Sequence, residues 1–382
     1  MNYFNVSSGR IKSSINLDNL EFNFKNIRCA LPENIKIMCV VKANAYGLGA
    51  AKISKIYENL GADAFAVATL DEAIELRRNG ISKDILILGY TAPERVYEIH
   101  NFSVSQTVFS SSYACKLADS AKKFNLNLKV HLKIDTGMSR LGFLFQDKNR
   151  DTKIFDELKN LGKIKEFKVS GIFTHFLGSD ENNERCKKIT IEQIENFSYI
   201  VNFAKKIFKD IKYIHCSNSG AILNYPEALN NCNMVRAGII LYGYYPSDFV
   251  KNKILLKNVL EIKTIVVQTK ELPPDSVVSY GGTFVTKKTT KIAIVPIGYA
   301  DGLSRALSNK GKMLVNGKFA NIVGNICMDQ CMLDVTNIPT TKEGDEVTVI
   351  GEDGSLKITA NDIAKYLGTI NYEVLCNFSK LR

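Results

Sequence analysis

Over its first two-thirds the chain switches repeatedly between apolar β-branched runs and amphipathic charged stretches, and that rhythm leaves few folds open to it. Strand-like runs stand at 36–42, 64–68, 85–89, 106–109, 128–134, 168–175, 212–217 and 234–242, and the stretches between them read mostly as helices. Residues 70–79 show the helical spacing: Leu70, Ala73, Ile74 and Leu76 share a face, and Gly80 supplies the stop. Near-continuous apolar strands such as Ile85-Leu86-Ile87-Leu88 fit a parallel sheet covered on both faces. About eight strand–helix units over roughly 210 residues match a (β/α)8 barrel of the TIM type. A doubly wound sheet is the rival, but no glycine fingerprint follows the first strand.

Past Pro246 the texture changes. Short alternating strands are expected at 259–267, 292–296, 312–315, 321–328, 332–335 and 346–350, with turns at Asn316-Gly317 and Glu352-Asp353-Gly354. One helix, Ala360–Leu367, interrupts them behind a Thr359 cap. The fold expected is therefore α/β plus all-β: a barrel over 1–246 and a β-strand domain over 247–382.

Composition narrows the function. No run of about 18 apolar residues exists in the 382, so no membrane span is expected. The opening residues lack a charged start followed by an apolar stretch, which points away from a secretory signal and toward the cytosol. A net charge of +11 could suit nucleic acid, but the lysines are dispersed, and the densest cluster, 287–291, has no interleaved aromatics. Nine cysteines without a Cys-x-x-Cys pair, and four histidines at no ligand spacing, read as reduced thiols and no metal site.

Chemistry-bearing residues gather at strand ends. In Val40-Val41-Lys42-Ala43-Asn44-Ala45-Tyr46-Gly47-Leu48-Gly49, Lys42 closes an apolar run at the mouth where barrel enzymes keep catalytic groups, and it could form a Schiff base with an aldehyde cofactor. A lysine merely pointing into water fits that segment equally well. Alternation along 130–135 puts His131, Lys133 and Asp135 on one face, a costly arrangement inside a barrel unless the groups are bonded or functional. An ordinary Lys133–Asp135 ion pair is the plain reading. Arg140 follows in a loop that could reach an anion. His175 ends the strand-like run 168–175. Small residues after the last two strands, 216–220 and 237–239, suit a phosphate cradle, and Arg236 lies between them as a fixed cation. Tyr280, beside two glycines, is either a turn residue or a proton carrier.

Together these segments resemble the alanine racemase family, pyridoxal-phosphate enzymes that interconvert L- and D-alanine. The likeness runs from residue 15 to residue 376, with 41–49 matching the cofactor-lysine signature. It implies that Lys42 holds pyridoxal 5′-phosphate as a Schiff base, with Tyr46, Ser219, Gly238, Ile239 and Tyr372 at the phosphate and Arg236 at the pyridine nitrogen. It also implies that Arg140 contacts the cofactor's phenolic oxygen and the substrate carboxylate. Lys133 matches a lysine often carried as a carbamate (N6-carboxylysine), which would replace the ion pair with Asp135. Lys42 and Tyr280 would serve opposite faces of the α-carbon, the tyrosine coming from a second subunit. His175 would support that tyrosine, and the Met328 amide would hold the carboxylate across the same interface. A homodimer with shared sites, acting on a small amino acid to supply D-alanine for peptidoglycan, is what the resemblance implies.

Two departures stand out. Asn325 occupies a place where the family commonly has arginine, on the substrate entry route, and the chain stops at Leu381-Arg382, where a slightly trimmed edge is expected. A single-domain pyridoxal-phosphate carrier would need neither the β domain nor Tyr280, and a fold-related decarboxylase would carry other glycine motifs. A racemase for serine or a basic amino acid is the alternative that the residues leave open.

Overall fold

The structure, a computed structural model, describes residues 3–7, 9–251 and 253–380. Two compact units account for the chain. One comprises Glu21–Ala45 and Gly49–Leu256, the other Met1–Leu20, Tyr46–Leu48 and Lys257–Arg382. Leu381 and Arg382, where the trimmed edge is expected, lie outside the described residues, as do Met1 and Asn2 at the start.

The first unit is a closed parallel barrel. Its strands are β1 (Lys36–Val40), β2 (Ala64–Val67), β3 (Asp84–Ile87), β4 (Ser105–Val108), β5 (Leu128–Asp135), β6 (Phe167–Phe173), β7 (Tyr213–His215) and β8 (Met234–Ala237). Each strand pairs in parallel with the next from β1 to β8, and β8 pairs in parallel with β1 to close the ring. Burial along β2, β4 and β8 is unbroken, as expected of strands with side chains filling the interior on one face and helices covering the other. Four of the helices begin on a polar side chain that accepts from the first turn: Thr69 from the Glu72 amide, Ser110 from Tyr113, Asn183 from Cys186 and Asn218 from Ala221. The run read as a strand over 234–242 is shorter than expected. It stops at Ala237, because Gly238 turns the chain into a 3-10 turn over Ile239–Tyr242.

The second unit is built on a ten-stranded sheet in which Tyr3–Ser7, Ile11–Asn16, Leu260–Ile265 and Glu346–Asp353 lie side by side, continuing through Lys312–Val315, Lys318–Ile322, Cys331–Asp334, Thr290–Val295 and Gln268–Leu272, with Leu356–Ile358 paired to Glu346–Asp353 off this path. Residues 11–16 pair antiparallel with 260–265, so the first strands complete a sheet whose other members lie some 250 residues away in sequence. Asn316 and Gly317, both at positive φ, form the expected two-residue hairpin turn. The strand expected over 321–328 is also corrected: it ends at Ile322, because the chain leaves the sheet at Gly324, which takes φ +73°. A small apolar cluster of Val278, Ile292, Val323 and Met332, joined by Phe284 and Cys327, then supports the loops that follow.

Candidate active site

Lys42 lies just past β1 and is half-buried. The next four residues, Ala43 to Tyr46, have φ between 53° and 58°, a left-handed turn without a glycine. Each L-residue in that conformation costs about 1–2 kcal/mol, so the surroundings must hold the turn. The Ala43 amide donates to Glu72 Oε1 at 2.6 Å, and Asn44 Oδ1 accepts from the Ala50 amide at 2.8 Å. Glu72 Oε2 accepts from the amides of Ala68 and Thr69 at 2.6 and 3.2 Å. One carboxylate thus caps the helix after β2 and pins the turn after β1.

Arg236, 4 % exposed on β8, is bonded through both of its terminal nitrogens. Nη1 meets His215 Nδ1 at 2.9 Å and donates to the His215 carbonyl at 3.0 Å. Nη2 donates to the carbonyls of Thr174 and Cys216 at 2.8 and 2.9 Å and meets His175 Nδ1 at 3.3 Å. These contacts engage both terminal nitrogens and leave Nε–H as the remaining donor. Behind them His215 Nε2 meets His131 Nδ1 at 3.1 Å. Gly171, opposite His131 in the β5–β6 pairing, is required there, because a Cβ would fall 2.4 Å from that ring nitrogen. Burial pushes Arg236 down to about 10 and His131 to about 3. Burial, with the Arg236 charge second, holds His175 and His215 well below the usual histidine range. The arginine stays charged at neutral pH and the three imidazoles stay neutral.

On β5, Lys133 donates to the Ile134 carbonyl at 2.9 Å, and Asp135 Oδ1 accepts from the amides of Gly137 and Ser139, each at 3.0 Å. Among the described residues the two make no ion pair, so the plain reading of this face gives way to one in which Asp135 shapes the loop carrying exposed Arg140. Lys133 and Arg236 both sit over the Phe173 ring, at 5.3 and 5.4 Å from its centre. Burial first, then the charges of Arg236 and Arg140, bring the Lys133 amine down to about 7. After β7 and β8, the Gly238 amide donates to Ser219 Oγ at 3.1 Å, with the Ile239 turn following directly.

Within the second unit, the Tyr46 and Tyr372 rings meet with centroids 6.0 Å apart. Gly47, beside Tyr46, has φ +89°, and a Cβ there would fall 2.8 Å from the Leu375 carbonyl oxygen. Tyr280 and Met328 are 72 % and 53 % exposed, on loops that Asn325 joins by donating to the Tyr280 carbonyl at 2.7 Å. Arg10 steadies the Met328 side of this arrangement. It forks onto Asp301 at 2.6 and 3.2 Å and donates to the carbonyls of Pro296 and Asp329.

The structure thus gathers Lys133, His175 and Arg236 in one set, Ser219 with Gly238 in another, Tyr46 with Tyr372, and Tyr280 with Met328. Sequence reading missed Glu72, Gln193 and Asn325's bond to Tyr280. Gln193 was detectable: it lies on the buried face of helix Glu184–Ile207 with Thr190 and Phe197, a polar amide among core positions, and it donates to the His175 carbonyl at 3.1 Å. Glu72 was visible only as a capping-box residue. Among the described residues there is no cluster of His, Cys, Asp or Glu able to hold a metal, and no helix long and apolar enough to cross a membrane.

Comparison with known proteins agrees with this geometry. Residues 15–246 match the family model for the alanine racemase N-terminal domain, and 259–382 that for its C-terminal domain. The chain is 44% identical to alanine racemase 1 of Clostridium acetobutylicum over 96% of its own length and 93% of the relative's. Among solved structures, an alanine racemase from Clostridium difficile 630 superimposes with a TM-score of 0.88 at 41% identity, covering 97% of this chain and 94% of that one. The same enzyme in complex with cycloserine gives 0.87 at 40% identity, covering 98% and 94%. Full-length matches to both domain models and to these relatives place the chain in the alanine racemase family.

Proposed function

We propose that this protein interconverts L- and D-alanine with pyridoxal 5′-phosphate, using Lys42 and Tyr280 as opposed proton carriers at sites shared between two copies of the chain. Buried Arg236 is the observation that carries the reading. A donor-only group that is charged at neutral pH, with one N–H left over, fits a ring nitrogen that must remain an acceptor. The remaining donor set fits the cofactor as well. The Lys42 amine suits an aldehyde, and the Ser219 hydroxyl, oriented by the Gly238 amide, suits a phosphate together with the Ile239 amide; the family likeness assigns the phenols of Tyr46 and Tyr372 to that phosphate as well. Burial pushes the Tyr46 phenol up, so it keeps its proton and donates.

When bound, the cofactor supplies an aldehyde for the amino group and a ring that withdraws electrons from the neighbouring α-carbon. Arg236, by donating rather than protonating, restrains that withdrawal and favours return of the proton over side reactions. Lys42 moves a proton on one face through Nζ, and Tyr280 on the other through its hydroxyl, with His175 alongside. Arg140 and the Met328 N–H hold the substrate carboxylate. Lys133, with its amine near pH 7, is neutral often enough to take up carbon dioxide and lose a proton, becoming a carbamate anion that orients Arg140. Residues 1–246 would hold the cofactor and 247–382 would complete the partner's site. The strands at 3–7 and 11–16 join the latter sheet. A cytoplasmic role supplying D-alanine for peptidoglycan accompanies this reading.

Purified protein with pyridoxal 5′-phosphate should convert L-alanine to D-alanine on chiral analysis, and faster than L-serine or L-lysine. Lys42→Ala should abolish both turnover and the absorbance of the bound aldehyde. Faster turnover of another amino acid would overturn the alanine assignment. An unchanged absorbance in Lys42→Ala would overturn the lysine's role.

A further inference from the structure

Two loops of the second unit are bound to each other in both directions where the exposed phenol emerges. Ser279 has φ +66° and ψ −178°, a backbone region that side chains resist and glycine normally occupies. Its hydroxyl donates to the Asn325 carbonyl at 2.5 Å, and Asn325 Nδ2 donates back to the Tyr280 carbonyl at 2.7 Å. The loops touch so closely that a Cβ on Gly324 would fall 2.6 Å from the Val278 carbonyl oxygen. Asn309 ties the same pair again, accepting from the Gly324 amide at 2.7 Å and donating to Thr283 Oγ1 at 3.0 Å. The Tyr280 ring is largely exposed, so the direction in which it leaves the chain is set through its backbone.

We propose that Asn325 is a positioning residue for Tyr280. Its side-chain amide, with the Ser279 hydroxyl, clamps the strained backbone at 279–280 and fixes where the phenol delivers or receives its proton. The family's usual arginine at this place would bring a charge and a longer arm. Asparagine brings a short donor that reaches the neighbouring carbonyl. This assignment rests on the reading of Tyr280 as a proton carrier, and the test separates the two.

Asn325→Asp keeps the shape but sets an acceptor against the Tyr280 carbonyl, whereas Asn325→Gln keeps a donor. Each is compared with Tyr280→Phe in the holoenzyme, following exchange of the α-hydrogen with solvent deuterium from L-alanine and from D-alanine separately. Tyr280→Phe should impair exchange from one enantiomer. Asn325→Asp should lower exchange from that same enantiomer by about tenfold, the consequence of one lost hydrogen bond in the transition state, with kcat falling more than KM moves. Asn325→Gln should recover most of it. Unchanged exchange in Asn325→Asp, equal loss from both enantiomers, or a change in KM alone overturns the positioning role while leaving Tyr280's intact. Equal loss in Tyr280→Phe overturns the proton-carrier reading and the clamp with it. Should Asn325→Asp fail to fold, Asn325→Ala is put through the same measurements with the same expectations.

Discussion

At the residue scale, the guanidinium of Arg236 bonds to three carbonyls and two imidazoles, so its removal costs more than a charge. Arg236→Leu leaves the carbonyls of Thr174, His215 and Cys216 without this donor, at about 1–3 kcal/mol for each one left unmet. A loss of about 3 kcal/mol or more is expected as a fall in urea midpoint at constant slope. The neighbouring imidazoles make the fold acid-sensitive. His131, His175 and His215 all sit below their ordinary value of 6.5, so the unfolded chain binds protons near pH 6.5 that the folded one refuses. Their contribution is whole above pH 6.5 and is lost as pH falls, for His131 down to about 3. As a hydrogen-bonded set they respond together, and each adds a slope of up to about 1.4 kcal/mol per pH unit. Urea midpoints at pH 7.5, 6 and 5 should therefore decline steeply before Glu58 and Asp151, both held at about 2, begin to titrate. A flat profile over that window would contradict the buried-neutral assignment.

At the scale of elements, the turn after β1 depends on the helix after β2. Glu72 is the link, since the Ala43 amide reaches it from one side and the Ala68 and Thr69 amides from the other. Glu72→Ala should destabilise by about 2–4 kcal/mol, the cost of two or more unmet charge-assisted bonds. It should also loosen cofactor binding, read as a weaker affinity for pyridoxal phosphate by fluorescence titration. Thr69→Ala removes only the helix cap, and is expected to cost about 1 kcal/mol without altering that affinity. Equal effects from the two substitutions would mean that Glu72 acts as a cap alone. The Thr69-x-x-Glu72 spacing is a local capping signal that the sequence reading did not take up. The reach of Glu72 to Ala43 leaves no such signal, because no local pattern records which neighbouring strand end lies beside a helix.

For the whole molecule, the proposal of shared sites makes a prediction that single variants cannot. Lys42→Ala and Tyr280→Phe should each be inactive as pure proteins. After mixing, subunit exchange should restore about one quarter of the wild-type rate, because half the dimers are mixed and each mixed dimer holds one intact lysine–tyrosine pair. Both groups acting from one chain would give no recovery. Sedimentation of the mixture checks that the species counted are dimers.

Local pattern alone carried the alternating strand–helix rhythm of the barrel, the change to short strands near residue 250, the capping of helix Ala360–Leu367 by Thr359, and the placing of Lys42, His175 and Arg236 at or near strand ends. These follow from local periodicity and turn chemistry, which act between residues a few positions apart. Packing between distant segments put 3–7 and 11–16 with a sheet formed mainly after residue 259 and turned residues 43–46 into the left-handed conformation. It alone set Arg236 against His175 and His215, and Ser279 and Asn325 on each other. Each of those outcomes is a balance of strain, desolvation and hydrogen bonding among groups far apart in the chain, and such a balance exists only once the elements have met.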